Sequence, residues 1–212
     1  MDTTNMSKVF FDMGISLDGF IAGLNSGPSN PLGNSGLEIH NWLFLQRSFR
    51  RLLKLGDDGE TGADDKLVEE IFNRTGAYIM GKRMFEEGEV NWPEDAPFHT
   101  PVFVLTHESR NPRQRKGGTT FHFVNDGIES ALRHAREVAG QKDIRISGGA
   151  QTIQQYLNAG FVDEFSIHCA PLFLGQGVRL FDRIEKERFL VRIIEAVHSP
   201  HVTHLRYTVN TK

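Results

Sequence analysis

The chain is short of cysteine, of long apolar runs and of net charge, and each shortage removes a class of function. Cys169 is the single cysteine among 212 residues, so no intrachain disulfide can form. The expectation is a reducing, cytoplasmic setting rather than a secreted scaffold. No apolar run approaches the ~20 residues of a membrane span, and residues 1–8 lack the apolar core of a signal peptide. A formal charge of −3 gives no basic field for nucleic acid. There is no Gly-x-Ser-x-Gly elbow for a hydrolase and no cysteine pair for a zinc site. His198, His201 and His204 carry ligand atoms, but in a strand they alternate faces, so all three cannot converge on a metal. Cys169 falls in an apolar strand pattern that suits packing rather than nucleophilic attack.

What is present reads as an ordinary soluble α/β protein, with 39% hydrophobic and 24% charged residues. The length suits one large domain or two small ones. No repeat, low-complexity tract or linker divides it, so the expectation is a single domain over residues 8–210. Sixteen phenylalanines are assigned to a broad aromatic core.

Apolar periodicity places the elements. Residues 9–15 form a buried strand running into Ser16-Leu17-Asp18-Gly19-Phe20-Ile21-Ala22-Gly23, and residues 24–36 read as a mobile loop. Residues 38–55 read as one helix, with Trp42, Leu45, Phe49, Leu52 and Leu53 on one face and a solvated basic stripe of Arg47, Arg50, Arg51 and Lys54 on another. Asp57, Asp58, Glu60, Asp64 and Asp65 are available to neutralise that stripe, and their spacing is not that of a calcium loop. A helix carrying Leu67, Val68, Ile71 and Phe72 follows, then strands at 77–80, 101–106 and 121–124, and an amphipathic helix over 128–139. After the helix 151–159, alternation at Phe165, Ile167 and Cys169 and two closing strands at 189–197 and 203–209 make a β-rich tail. The pattern predicts a mostly parallel sheet with an antiparallel edge.

The chemistry concentrates in Ile144-Arg145-Ile146-Ser147-Gly148-Gly149-Ala150-Gln151, a strand, two glycines and the first turn of a helix. Glycine lets the backbone approach a ligand, and a helix N-terminus offers free N–H groups to phosphate. The alternative is a tight turn that merely needs glycine. Gly81-Lys82-Arg83 repeats the arrangement after a second strand and adds two cations. Residues 76–82 match the spacing of a P-loop, but their middle is strand-like and Arg83 stands where a magnesium-binding hydroxyl is required. Two glycine turns would place two phosphate seats at the carboxyl edge of one sheet. Thr106-His107-Glu108-Ser109-Arg110, after a third strand, adds a hydroxyl and an Arg suited to a 2′-phosphate.

Five segments now stand in order: Ser16-Leu17-Asp18-Gly19-Phe20-Ile21-Ala22, Met80-Gly81-Lys82-Arg83-Met84-Phe85, Val104-Leu105-Thr106-His107, Ser147-Gly148-Gly149-Ala150 and Pro171-Leu172-Phe173-Leu174-Gly175-Gln176-Gly177. Together they resemble the RibD C-terminal-domain family of riboflavin-biosynthesis reductases, over roughly residues 8–209. The resemblance implies a dihydrofolate reductase-like three-layer α/β/α fold and an NADPH-dependent oxidoreductase. Its implied activity is like that of 5-amino-6-(5-phosphoribosylamino)uracil reductase, on a small pyrimidine- or pterin-like heterocycle, in a homodimer. It implies cofactor contacts at Gly81, Lys82, Arg83, Thr106, His107, Arg110, Ser147, Gly148, Gly149, Ala150 and Gln151. It also implies a substrate side at Asp18, Phe20, Leu174 and Gly175, with Asp18 nearest the chemistry. Met84 departs from the family's usual Thr, so one hydroxyl contact is lost. Dihydrofolate reduction is one alternative, for which Glu38 stands where an acid is expected but in poorly matching surroundings. A nucleotide-binding regulatory or sequestering protein without turnover is another.

Overall fold

The computed structural model describes residues 7–212; residues 1–6, part of the stretch read for a signal segment, lie outside the described residues. The first apolar run forms β1 (Val9–Ser16), and a turn leads into β2 (Phe20–Ala22). A 3-10 helix (Gly36–His40), α1 (Asn41–Leu45) and α2 (Arg47–Leu52) precede α3 (Ala63–Arg74). Then come β3 (Thr75–Gly81) with α4 (Lys82–Glu89), β4 (Pro101–Leu105) and the short β5 (Arg113–Gln114). β6 (Thr120–Val124) leads to α5 (Ile128–Ala139), and β7 (Asp143–Gly148) to α6 (Ala150–Asn158). β8 (Glu164–Ala170), β9 (Val178–Arg179), β10 (Phe189–His198) and β11 (Thr203–Thr211) complete the chain.

Nine strands form one sheet in the order β10-β11-β8-β1-β7-β3-β4-β6-β5, and β2 pairs with β9 apart from it. The run from β8 to β6 is parallel, while β10 and β11 at one edge and β5 at the other are antiparallel. The mostly parallel sheet with an antiparallel C-terminal edge is therefore the observed architecture.

Alternation sorts the strand residues between two faces. On one, Phe11, Ile79, Ile144 and Ile146 pack with Ala131, Leu132, Ile153 and Tyr156 of α5 and α6. The other face is divided. Its β3-β4-β6 half is apolar, where Tyr78, Met80, Val104 and Phe121 meet Phe85 of α4. Its β7-β1-β8-β11 half carries Arg145, Asp12, His168 and His204, covered by Trp42 and by Phe72 and Asp64 of α3. Helices on both faces give three layers. The P-loop-like spacing is taken up by β3, which is buried almost throughout.

Two expectations are corrected. The single helix over 38–55 breaks at Gln46, which is extended (φ −77°, ψ 133°) and bridges to Glu60. Backbone bonds Arg47 N to Glu60 O and Glu60 N to Leu45 O replace helical ones there. Trp42 is buried, whereas Leu45 is exposed. The basic stripe is paired as anticipated, Arg50 with Asp58 at 3.0 Å and Arg51 with Asp57 at 2.8 Å. The loop 24–36 is tied rather than loose: Gly23 N donates to Leu32 O and Asn34 N to Leu24 O, and Arg83 and Asn91 reach Ser26 and Pro28 from the α4 side. No helix among the described residues is long and apolar enough to cross a membrane.

The aromatic half of the second face sets its own test. Phe85 is fully buried and meets Trp92, Phe121 and Phe123 edge-on. Phe85→Ala leaves a cavity between α4 and the sheet and is expected to lower stability by about 3–5 kcal/mol in urea unfolding; a loss below ~1 kcal/mol would contradict this packing.

Candidate active site

The two glycine turns meet because β3 and β7 are neighbours, with Met80 opposite Gly148. A Cβ on Gly81 would lie 2.6 Å from Thr152 Oγ1, so glycine lets the turn approach α6 without displacing that hydroxyl. Gly148 has φ +124°, a conformation that other residues rarely adopt, and the Gly148–Gly149 peptide is cis. Gly149 is different. Its φ is −73°, and a Cβ there would meet nothing within 4 Å. The space above that turn is open. Neither α4 nor α6 has a side-chain cap, which leaves the N–H groups of Ala150 and Gln151 free for an anion. Ser147 Oγ is buried without a partner, so that side chain lies at the base of the turn and not on its open rim.

The cations of the first turn are already engaged. Lys82 Nζ bonds Glu108 and lies 3.6 Å from Glu86, and Arg83 bonds Glu87 at 3.1 Å. The hydrogen bond that Lys82 donates to Glu108 raises the Lys82 ammonium and lowers the Glu108 carboxyl. An arriving phosphate must therefore exchange with carboxylates. Thr106 Oγ1 accepts from Glu108 N at 3.1 Å and is turned into this third turn, while His107 is exposed. Arg110 stacks over Phe123 at 4.3 Å and lines an open groove of about 510 Å³ with His122, Asn125 and His134. That groove is lined by no glycine-turn residue.

The Ser16-Leu17-Asp18-Gly19 segment is a clasp. Ser16 Oγ donates to Asp18 Oδ1 at 2.6 Å and accepts from Phe20 N at 3.0 Å. Asp18 also accepts from Leu174 N at 3.1 Å and Gly175 N at 2.6 Å, and Leu17 N donates to Leu172 O. Two loops 150 residues apart in sequence (roughly) are thus stitched at one carboxylate. The Ser16 hydrogen bond, with those of Leu174 and Gly175, outweighs desolvation and lowers the Asp18 carboxyl to about 2. At neutral pH Asp18 is ionised, and both its oxygens accept hydrogen bonds within the clasp. Phe20 is buried beneath Arg179, 4.2 Å from its ring, so it shapes the loop and does not line an opening. Leu174 and Gly175 present their backbone to Asp18, and Glu38 is exposed.

Periodicity alone does not reveal the polar half of the second sheet face. Arg145 grips Asp12 bidentately at 2.6 and 2.7 Å. His168 and His204 meet through Nδ1 atoms at 2.8 Å, and His204 Nε2 lies 3.2 Å from Asp64 Oδ1. His40 lies over Gly14, where a Cβ would come 2.9 Å from its ring. The signal available in sequence was a charged residue at the centre of each apolar strand, Asp12 and Arg145. Among the described residues no group of three His, Cys, Asp or Glu is arranged to hold a metal.

Three layers, a mostly parallel sheet and paired glycine turns at its carboxyl edge define the dihydrofolate reductase class of α/β folds. Residues 7–205 match the RibD C-terminal domain family, and the chain belongs to that family. The chain is 25% identical over 209 residues to the uncharacterized protein YyaP of Bacillus subtilis, covering 96% of this chain and 95% of that one. A putative riboflavin biosynthesis protein from Shewanella sp. PV-4 superposes with a TM-score of 0.67 at 21% identity, over 96% of this chain and 99% of that one. Dihydrofolate reductase from Enterococcus faecalis, complexed with NADP(H) and RAB-propyl, superposes with a TM-score of 0.56 at 13% identity, over 97% and 98% of the two chains.

Asp18→Ala is expected to free the 171–177 loop, read as faster amide exchange at Leu174 and Gly175 with little change in global unfolding. Because the folded carboxyl is lowered, the clasp is complete above the ordinary Asp value of about 4. It is lost as pH falls through about 2. Protection at Leu174 and Gly175, corrected for intrinsic exchange, should fall over that interval, and protection that is flat there would refute the clasp.

Proposed function

We propose that the protein is an NADPH-dependent oxidoreductase that reduces a small pyrimidine- or pterin-like heterocycle, in the manner of a 5-amino-6-(5-phosphoribosylamino)uracil reductase. The observation that carries this reading is the open face of Gly149 beside the uncapped N-terminus of α6 and the neighbouring Gly81 turn. A fold needs glycine at Gly148 and Gly81, but Gly149 has neither positive φ nor a crowded Cβ. A ligand that must come close to the backbone accounts for it. Family membership supports the reading, and the fold is shared with an NADP(H)-bound reductase.

Bound NADPH supplies a hydride. The chain does the rest: Gly148, Gly149 and the amides of Ala150 and Gln151 hold the diphosphate, and Gly81, Lys82 and Arg83 add the second seat. Thr106, His107 and Arg110 serve the 2′-phosphate end, with Glu108 giving up Lys82 as it arrives. Asp18 positions the 171–177 loop beside the substrate by its hydrogen bonds to Leu174 and Gly175. Cytoplasmic NADPH and a single half-buried Cys169 suit the same setting.

The test is a titration with NADPH and, in parallel, NADH, followed by intrinsic Trp fluorescence. Saturable binding with NADPH preferred is expected. Gly149→Asp places a carboxylate in the open space without straining the fold and should weaken NADPH by ~10–100-fold, about 1.4–2.8 kcal/mol. Gly149→Asp with wild-type affinity would overturn the seat.

The homodimer is proposed through β10. This outermost strand exposes Leu190, Val191, Ile193 and Ile194, with Ile193 61% exposed. An unpaired apolar edge calls for a partner, and a second copy of the same edge closes by two-fold symmetry. Light scattering should give a dimer mass for the wild type and a monomer mass for Ile193→Lys; a wild-type monomer at all concentrations excludes the pairing.

A further inference from the structure

Lys82 and Thr106 leave the sheet as neighbours, because Gly81 pairs with Leu105 across the β3-β4 ladder. Lys82 opens α4. Thr106 opens a turn instead. Its N–H donates to Val124 O at 3.0 Å, and its Oγ1 accepts from Glu108 N at 3.1 Å. A hydroxyl that takes the N–H two residues on bends the chain back on itself. The bend returns Glu108 to α4, where its carboxylate accepts a hydrogen bond from Lys82 Nζ. Thr106 is buried, so the bend is anchored in the fold.

The charges at this point cancel. Lys82 faces two carboxylates, Glu108 from the turn and Glu86 from its own helix at 3.6 Å. Arg110 is the second cation, and its charge lowers the Glu108 carboxyl together with that of Lys82. Two cations therefore stand against two acids. Glu86 is an i,i+4 partner of the kind that supports a helix, as Glu87 is for Arg83 at 3.1 Å. Glu108 is different. It comes from another element, and no bond within α4 depends on it. It is a carboxylate set against the very cation assigned to the second phosphate seat. The pair is open to solvent, with the Lys82 side chain 36% and the Glu108 side chain 56% exposed. Exposed pairs are weak. Glu108 can therefore be displaced, and it tunes the seat without closing it.

We propose that Glu108 sets the preference between the two nicotinamide cofactors: it competes with a 2′-phosphate for Lys82 and Arg110, and it accepts the 2′-hydroxyl of a cofactor that lacks the phosphate. This rests on the reductase reading above. A phosphate monoester carries close to two charges at neutral pH, so it displaces a single carboxylate from two cations. NADPH must nevertheless separate Lys82 from Glu108, and then leaves that carboxylate beside a like charge. NADH brings no charge at that position. Its ribose hydroxyl donates to a carboxylate, the task an acid performs in dinucleotide sites of the Rossmann type. One side chain thus weakens one cofactor and holds the other. The wild type prefers NADPH by less than Lys82 and Arg110 alone would give.

The test is the pair of dissociation constants for NADPH and NADH, read by Trp fluorescence. Four proteins are compared: the wild type, Glu108→Gln, Lys82→Gln and the double variant. Glu108→Gln removes the charge and keeps the shape, and at this exposed position thermal unfolding should not move. It should bind NADPH about fivefold more tightly, the size of an exposed ion pair that no longer opposes binding. NADH should stay the same or weaken by about twofold. The gain in NADPH should fade in ~0.5 M salt, where screened charges no longer compete. Lys82→Gln should cost more NADPH affinity in the Glu108→Gln background than in the wild type, because only there is Lys82 released from Glu108.

An unchanged NADPH-to-NADH ratio in Glu108→Gln overturns the proposal and leaves the reductase reading standing. Strictly additive effects in the double variant do the same. Four proteins that bind neither nucleotide overturn the reductase reading, and the proposal with it. NADPH binding that appears only once Glu108 is replaced supports both.

Discussion

A carboxylate and a guanidinium held together in the interior of a parallel sheet constrain much of this molecule. Asp12 and Arg145 project from adjacent strands onto a face whose β3-β4-β6 half is apolar. Neither is tolerable alone there, since breaking such a pair strands an uncompensated buried charge. Their presence dictates what may cover them. Phe72 and Tyr78 stack on the guanidinium, Trp42 packs on the two histidines, and Asp64 comes down from α3 to meet His204. The pair also fixes β7 against β1 three residues before Gly148, so the register that sets the Gly148–Gly149 turn is held by the same interaction.

The two halves of the second face differ in character. Around Phe85 the interior is aromatic and apolar, with Tyr78 turning its ring to Arg145 at the boundary. Around His168 it is polar and hydrogen-bonded in a chain through His204 to Asp64, with His40 of the 3-10 helix over Gly14. A second ionic knot secures the rear of this half. Glu164 is held by Lys8, Arg74 and Arg206, which outweigh burial and lower its carboxyl to about 2.

Local chemistry was legible in the sequence, and distant partnership was not. The strands, the glycine turns and the Ser16-Asp18 segment can be located because glycine placement and alternation are local signals. The role of Asp18 cannot, because its partners Leu174 and Gly175 arrive from the other end of the chain. His168 and His204 look like the outward residues of half-buried strands, and only the cover supplied by Trp42 turns them inward. Residues 38–55 keep helical spacing, yet a bridge from Gln46 to Glu60 breaks the helix in two, and spacing carries no trace of that competitor. The loop 24–36 has the composition of a loose segment and is tied by Arg83 and Asn91, whose reach no composition foretells.

The contrast between Gly148 and Gly149 has a consequence for how such chains diverge. Gly148 is required by its backbone angle, so any descendant that still folds must keep it. Gly149 is under no such obligation, because any L residue fits its angles and its space. On the proposed reading, the bound nucleotide is what favours glycine there. In a lineage that abandons the cofactor, Gly149 is free to drift to alanine, serine or aspartate while Gly148 stays. Of the two letters, the first is written by folding, and under the proposed function the second would be written by the ligand.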